Sequence, residues 1–261
     1  MSLRPHKVAV LVSSCYKYRD AWPGLAHAFD TYWPACPYPR YVLTDGPDSA
    51  HCAGFQMIRC EGSWGHMMRH ALAAIDATVV LYLLEDFWFS EPVDSGQIAK
   101  YAAIIDSGAA KYLRLYPCPD PKIVYAPEPS LGVVEPSEHY RTSLMAALWD
   151  ARFFSGLIRE SDDPWRFEGE GKQRTASFED GFLSVRRLAG DKHAGLEYVN
   201  TAITRGKWTQ EAHDYAKAAG LPLTAGPRNS ETRWDGLVRR HRFFNRVNTV
   251  MLRLGAIRKR S

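Results

Sequence analysis

Two adjacent carboxylates, Glu85 and Asp86, close the most apolar run of the sequence, Thr78-Val-Val-Leu-Tyr-Leu-Leu84, and Phe87-Trp88-Phe89 follows them directly. Acids placed where aromatic rings partly exclude water suit a divalent cation. Mg²⁺ or Mn²⁺ takes one or two carboxylate oxygens and fills the rest of its shell with substrate phosphates. Such an ion offsets the charge of a departing diphosphate. The plainer alternative is a pair of acids opening a solvated turn. Arg69, shortly after Ser63-Trp64-Gly65, is the nearest further positive partner for a phosphate, or an ordinary exposed helix residue. Glu168 follows Pro164-Trp-Arg-Phe, and an acid beside aromatic rings can have its proton affinity raised by desolvation. It is a candidate general base, with a surface acid near Glu170 and Lys172 as the alternative.

Other chemistries lack their residues. His66 and His70 stand four apart, on one face of a helix, but no HExxH accompanies them. Ser14 has no GxSxG elbow around it. There is no GxxxxGK[ST], and no GxGxxG follows the first apolar run, which weakens kinase, GTPase and dinucleotide-oxidoreductase readings. The five cysteines form no CxxC pair, consistent with free thiols in a reducing compartment.

These candidates need elements to position them. A chain of 261 residues, 46% hydrophobic and 24% charged, can bury a core without staples, and a net charge of +4 does not mark a nucleic-acid binder. Val8 to Val12 reads as a strand buried on both faces, followed by a helix through Trp22, Leu25, Phe29 and Tyr32 that ends before Pro34. Strands are expected over Arg40 to Asp45, Gly54 to Cys60, Thr78 to Leu84, Lys111 to Tyr116, Tyr140 to Trp149 and Phe182 to Val185. Helices are expected over Trp64 to Asp76, Ile98 to Ile105, through Phe153 and Leu157, and from Thr209 to Ala219. Prolines 117, 119, 121, 127 and 129 predict a long loop, and Asp162 to Gly169 an irregular stretch. Alternating strands and helices imply an α/β fold with a mostly parallel, doubly wound sheet. In such sheets ligands collect outside the carboxyl ends of the strands, so Ser13, Ser14, Asp45, Glu85 and Asp86 are expected to line one crevice.

The sequence at these positions resembles bacterial GT-A-type glycosyltransferases associated with surface polysaccharides. The resemblance rests on Val-Leu-Val-Ser-Ser-Cys15-Tyr-Lys-Tyr, Trp-Pro-Ala-Cys-Pro-Tyr38, Ser-Trp64-Gly, Leu-Tyr-Leu-Leu-Glu85-Asp86-Phe-Trp-Phe and Pro-Trp165-Arg-Phe-Glu168, and runs from about residue 7 to 210. It implies a GT-A-like domain over 1–227, with a donor half to about 117 and an acceptor half over 118–227. A nucleotide-diphosphate sugar would meet Ser13, Ser14, Asp45, Trp64, Arg69 and the acids Glu85 and Asp86, with a divalent cation, Mn²⁺ or Mg²⁺, at that pair. The family carries Asp-any-Asp where this chain has Glu85-Asp86-Phe87. The acceptor, a glycan or glycolipid hydroxyl, would lose its proton to Glu168, as in inverting members. Trp149 and Trp165 read first as core residues and second as platforms on which a sugar ring stacks.

From Arg228 the composition turns basic, and Leu237, Phe244, Val247, Met251 and Leu254 form one helical stripe opposite Arg239, Arg242, Arg246 and Arg253. Residues 228–261 thus read as a basic amphipathic tail able to rest on an anionic membrane, or as a terminal helix packed on the domain. No run of residues is long and apolar enough to cross a bilayer. A cytoplasmic protein, either soluble or peripheral on the inner face of the cytoplasmic membrane, is expected. Two rival readings stay open: a catalytically silent membrane-peripheral partner, and a nucleotidyltransferase, whose Gly-rich loop after the first strand is here Ser-Ser-Cys-Tyr-Lys-Tyr-Arg.

Overall fold

A computed structural model describes residues 7–138, 140–189, 193–199, 201–223 and 228–232. The chain divides into two compact units, Met1–Asn200 and Thr201–Ser261. The change of character expected at 227/228 falls inside the second, and the tail beyond residue 232 lies outside the described residues.

In the first unit β1 (Val8–Ser13) leads through a 3-10 turn (Tyr16–Ala21) into α1 (Trp22–Tyr32), then β2 (Arg40–Thr44) and β3 (Gln56–Arg59). Helix α2 (Trp64–Ala74) crosses to β4 (Val79–Leu84), and α3 (Ser95–Asp106) to β5 (Tyr112–Arg114). The proline-rich segment holds two short strands, β6 (Ile123–Val124) and β7 (Leu131–Val133). After it come β8 (Ala147–Asp150), α4 (Ala151–Leu157), α5 (Pro164–Arg174) and β9 (Phe182–Val185). The strands make one nine-stranded sheet in the order β3-β2-β1-β4-β8-β5-β9-β7-β6. Strands β3, β2, β1 and β4 are mutually parallel, β8 runs antiparallel between β4 and β5, and β5 and β9 are parallel again. The sheet is therefore mixed and mostly parallel, flanked by helices, the α/β class expected.

Alternation along the central strands sends Ala9, Leu11, Val80 and Tyr82 into a core shared with α2, α4 and α5, through Met68, Phe154 and Phe167. The intervening Val10, Val12, Leu81 and Leu83 are equally buried, which is why these strands read as unbroken apolar runs. Register sets the height of the site. Ser13 pairs with Leu43 of β2 and Leu84 of β4, so Ser14, Thr44 and Glu85 stand level at one end of the sheet.

Two expectations are corrected. The strand expected over Tyr140 to Trp149 is only Ala147–Asp150, because residues 141–146 form bends whose buried Arg141 donates to the Thr175 carbonyl at 2.6 Å. The stretch expected to be irregular is α5. Asp163 caps it by accepting the Arg166 N–H at 2.8 Å, and Pro164 sits in its first turn, where no N–H is needed.

The second unit opens with a hairpin, β10 (Ile203–Thr204) and β11 (Lys207–Trp208). Its two-residue turn, Arg205 at φ 51° and Gly206 at φ 76°, has the left-handed backbone that tight hairpins require. Helix α6 (Gln210–Ala218) follows, capped by the Thr209 hydroxyl on the Ala212 N–H.

Candidate active site

The carboxyl ends of β1, β2 and β4 carry the expected crevice. Ser13 is 4% exposed, and its hydroxyl accepts the indole N–H of Trp64 at 3.1 Å, tying the start of α2 to the end of β1. The Ser14 hydroxyl accepts the Trp22 indole N–H at 3.0 Å, tying in α1. Both serines are engaged as struts for tryptophans. Asp45, exposed at the end of β2, takes the Tyr16 N–H on Oδ1 at 2.6 Å and so fixes the loop after β1. Beside it, a cavity of about 340 Å³ opens at the ends of β2 and β3, lined by Asp45, Gly46, Pro47, Asp48, Arg59, Cys60 and Glu61. Arg59 shapes its wall by donating to the carbonyls of Pro47, Asp48 and Ala50.

Glu85 and Asp86 are 8% and 7% exposed. Their turn is anchored by Trp88, whose indole N–H lies 3.1 Å from the Glu85 carbonyl and 3.2 Å from that of Ala21. The ring lies flat on Gly24 of α1, where any Cβ would fall inside it. The Glu85 carboxylate reaches two neighbours electrostatically. It adds to burial in pushing up the Cys15 thiol, and it bears on the Tyr82 hydroxyl, whose proton affinity burial raises first.

Tyr82 is fully buried in β4, three residues before Glu85. Its hydroxyl sits by Ser13 and Trp64 and feels both Glu85 and Glu168. Glu168 is half-buried on α5, next to Phe167, whose ring meets Trp64 at 5.4 Å. Burial raises its proton affinity, opposed by the Leu144 N–H, which donates to Oε1 at 2.6 Å. Leu144 precedes β8, whose antiparallel course brings residues 144–146 to the same end of the sheet as Glu85. A desolvated carboxyl is thus held through Leu144 at the same end of the sheet as the strand-end acids.

Three sequence candidates fall elsewhere. Arg69 donates to the carbonyls of Ser155 and Ile158 at 2.9 and 3.2 Å and faces Glu160 at 3.5 Å, so it closes the end of α4 instead of reaching for phosphate. Trp149 has no exposed surface and stacks on Phe154 at 4.2 Å, which makes it core and closes it to an acceptor. His66 is paired with Glu160 at 2.8 Å. Trp165 is 81% exposed on the first turn of α5. Sequence reasoning missed Tyr82 and Cys15. Tyr82 had a signal, the single hydroxyl inside an aliphatic strand.

Among the described residues no three acid, histidine or cysteine side chains gather as a ready-made metal cage. Two adjacent carboxylates fit a cation that arrives with a diphosphate and takes most of its ligands from phosphate and water.

No family model and no curated protein matches the sequence. Among solved structures, TarS of S. aureus aligns with a TM-score of 0.48 and 12% identity over 82% of this chain and 39% of its own, and a shorter TarS has been solved with UDP-GlcNAc. Glucosyl-3-phosphoglycerate synthase from Mycobacterium tuberculosis, in complex with phosphoglyceric acid, aligns at 0.46 and 12% over 85% and 82%. CMP:2-keto-3-deoxy-manno-octonic acid synthetase complexed with CTP aligns at 0.45 and 12% over 82% and 97%. At such values these likenesses carry no residue-level correspondence. The chain spans well under half the length of the larger TarS chain.

Proposed function

We propose that this chain is a glycosyltransferase that moves a sugar from a nucleotide-diphosphate sugar to a hydroxyl of a glycan or glycolipid acceptor. The observation that carries the reading is Glu168, a half-buried carboxyl of raised proton affinity tied to the Leu144 N–H at the end of the sheet that carries Glu85. A direct displacement uses both sides. Glu168 removes the acceptor hydroxyl proton as that oxygen bonds to the anomeric carbon, and the bond from this carbon to the diphosphate oxygen breaks with inversion. The cavity at Asp45 offers room for the nucleoside, and Glu85 and Asp86 face the diphosphate. A divalent cation, when bound there, would supply charge neutralisation to the leaving group. Ser13 and Ser14 act by fixing Trp64 and Trp22 at the rim, and Trp165 offers an exposed ring to the acceptor sugar. The basic tail, residues 228–261, would bring the enzyme to an anionic surface where lipid-linked acceptors lie.

A nucleotidyltransferase would need free backbone N–H groups after β1 to cradle a triphosphate, whereas the Tyr16 N–H is already taken by Asp45. The test is thermal stabilisation by a panel of nucleotides and nucleotide sugars, with and without Mn²⁺, on wild type and Asp86→Ala. A ligand at a hundred times its Kd stabilises by about 2.7 kcal/mol, well within detection. A selective shift that Asp86→Ala abolishes supports the donor site. No shift with any nucleotide removes the transferase reading and favours the silent partner.

A further inference from the structure

Arg114 ends β5 with its side chain inside the protein, at 1% exposure. Its Nε donates to the Ser184 hydroxyl at 3.2 Å and Nη2 to the Pro119 carbonyl at 2.8 Å, both neutral acceptors. Nη1 is buried without a hydrogen-bond partner, and no carboxylate among the described residues pairs with this guanidinium. A buried cation lacking a counter-charge is among the costliest arrangements a fold can hold, and a bound anion would relieve it.

A second arginine follows the neighbouring strand β9, which pairs with β5 at Arg114 and Ser184. Arg187, just past β9, is exposed, with its backbone N–H held by Asp120 Oδ1 at 2.8 Å and its side chain hydrogen-bonded to Tyr116. Pro119, whose carbonyl takes Arg114 Nη2, adjoins Asp120, whose carboxylate holds the Arg187 N–H, and both guanidinium groups oppose the burial that pushes up the half-buried Cys118 thiol. The nearby acid Glu197 is occupied, because its Oε1 lies 2.9 Å from Nε2 of His193. This cluster adjoins the crevice. The Tyr116 ring meets Tyr198 at 5.4 Å, Tyr198 stacks on Phe87 at 4.6 Å, and Phe87 follows Asp86. Backbone pairing of Glu197 and Val199 with Ser90 and Trp88 locks that spacing.

We infer that Arg114 and Arg187 form an oxyanion subsite, and that the acceptor carries a phosphate monoester or carboxylate that docks there while its hydroxyl lies at the crevice. The word acceptor rests on the transferase reading; the anion site does not. The planar fork of arginine suits either oxyanion.

Calorimetric titration of the full chain with inorganic phosphate, and separately acetate, against matched chloride tests it. Wild type should bind one of them saturably, and the tighter of the two identifies the acceptor's anion. Arg187→Gln and Arg114→Lys should each weaken binding at least about tenfold, the loss of one charge-assisted hydrogen bond. Asp86→Ala should leave it unchanged. Cys118 gives a local readout that does not depend on Arg114→Lys folding: the bound anion should slow its alkylation, read by peptide mass, in wild type and not in Arg187→Gln. Absence of saturable binding by both anions, unaltered binding in Arg187→Gln, or loss of binding in Asp86→Ala would overturn the inference, the last by placing the anion at the diphosphate position. Anion binding without any nucleotide binding would sink the transferase reading and leave the subsite standing.

Discussion

Replacing Glu168 by glutamine removes one charge and almost no volume. The glutamine carbonyl can still accept the Leu144 N–H that Glu168 takes at 2.6 Å, so the bends before β8 keep their anchor. Stability and turnover should then move in opposite directions. Burial raises the Glu168 pKa in the folded state. A raised folded pKa contributes stability that is fully present below the unfolded pKa and is lost as pH rises through the folded one. Glutamine never bears that charge, so Glu168→Gln should be at least as stable as wild type near pH 7, its relative advantage fading as pH falls through the raised folded pKa and gone below the ordinary carboxyl pKa of about 4.3. Turnover should drop by about 10² to 10⁴-fold, the usual worth of a positioned general base, or about 2.7 to 5.4 kcal/mol of barrier. Donor affinity should hold. In wild type kcat/KM should fall on the acid side as Glu168 protonates, with its limb above the ordinary carboxyl range, and that limb should vanish in the variant. Urea melts at both pH values, with release of nucleoside diphosphate from whichever donor stabilises the protein, provide the readings. A variant less stable at neutral pH, with kcat close to wild type, would make Glu168 a strut for Leu144 and remove it from the chemistry.

Asp162→Ala should cost about 1.5 to 3 kcal/mol, because Asp162 and Arg174 form a buried pair at 2.5 and 2.8 Å, while the arginine keeps Glu170 at 2.8 Å as a second carboxylate. Arg174 holds the Asp162 pKa down, so this stability is present above the unfolded pKa and lost as pH falls through the folded one; urea melts of the two proteins should converge in acid. Arg69→Ala should lose about 1 to 2 kcal/mol in the same melts, two carbonyl hydrogen bonds at the surface, with no change in donor affinity. Gly24→Ala should push Trp88 off α1, costing about 1 to 3 kcal/mol by overpacking and weakening donor binding measured by thermal shift, since Trp88 anchors the Glu85 turn.

What the sequence made legible is the part of the fold in which each residue's neighbours lie along the chain. Val8–Ser13 and Val79–Leu84 are apolar on both faces, and that alone made them central and set their polar ends at one edge. Helix α5 stayed hidden although its start signal, Asp163 followed by Pro164, was present. Its buried residues are only Phe167 and Gly171, too few to show a 3.6-residue period. The antiparallel course of β8 was hidden for a related reason: four residues carry no direction, and strand-helix alternation argued for a mostly parallel sheet without saying which strand departs from it.

Charged residues mark the sharper limit. Arg69 looked free for phosphate because its partners, Ser155 and Ile158, are more than eighty positions away and contribute only carbonyls, which every residue possesses. Arg114 was not singled out at all: it lies inside Lys111-Tyr-Leu-Arg-Leu-Tyr116, expected only as a strand, where Tyr112 and Leu113 beside it are fully buried and the sheet continues past β5 to β9 on one side and β8 on the other. The flanking strands take only the edges of β5; its faces are covered as well, leaving Arg114 1% exposed. A single charge inside a run otherwise built for a core is thus the sequence signal for Arg114, and an anion that completes it is the simplest reason for such a charge to be there.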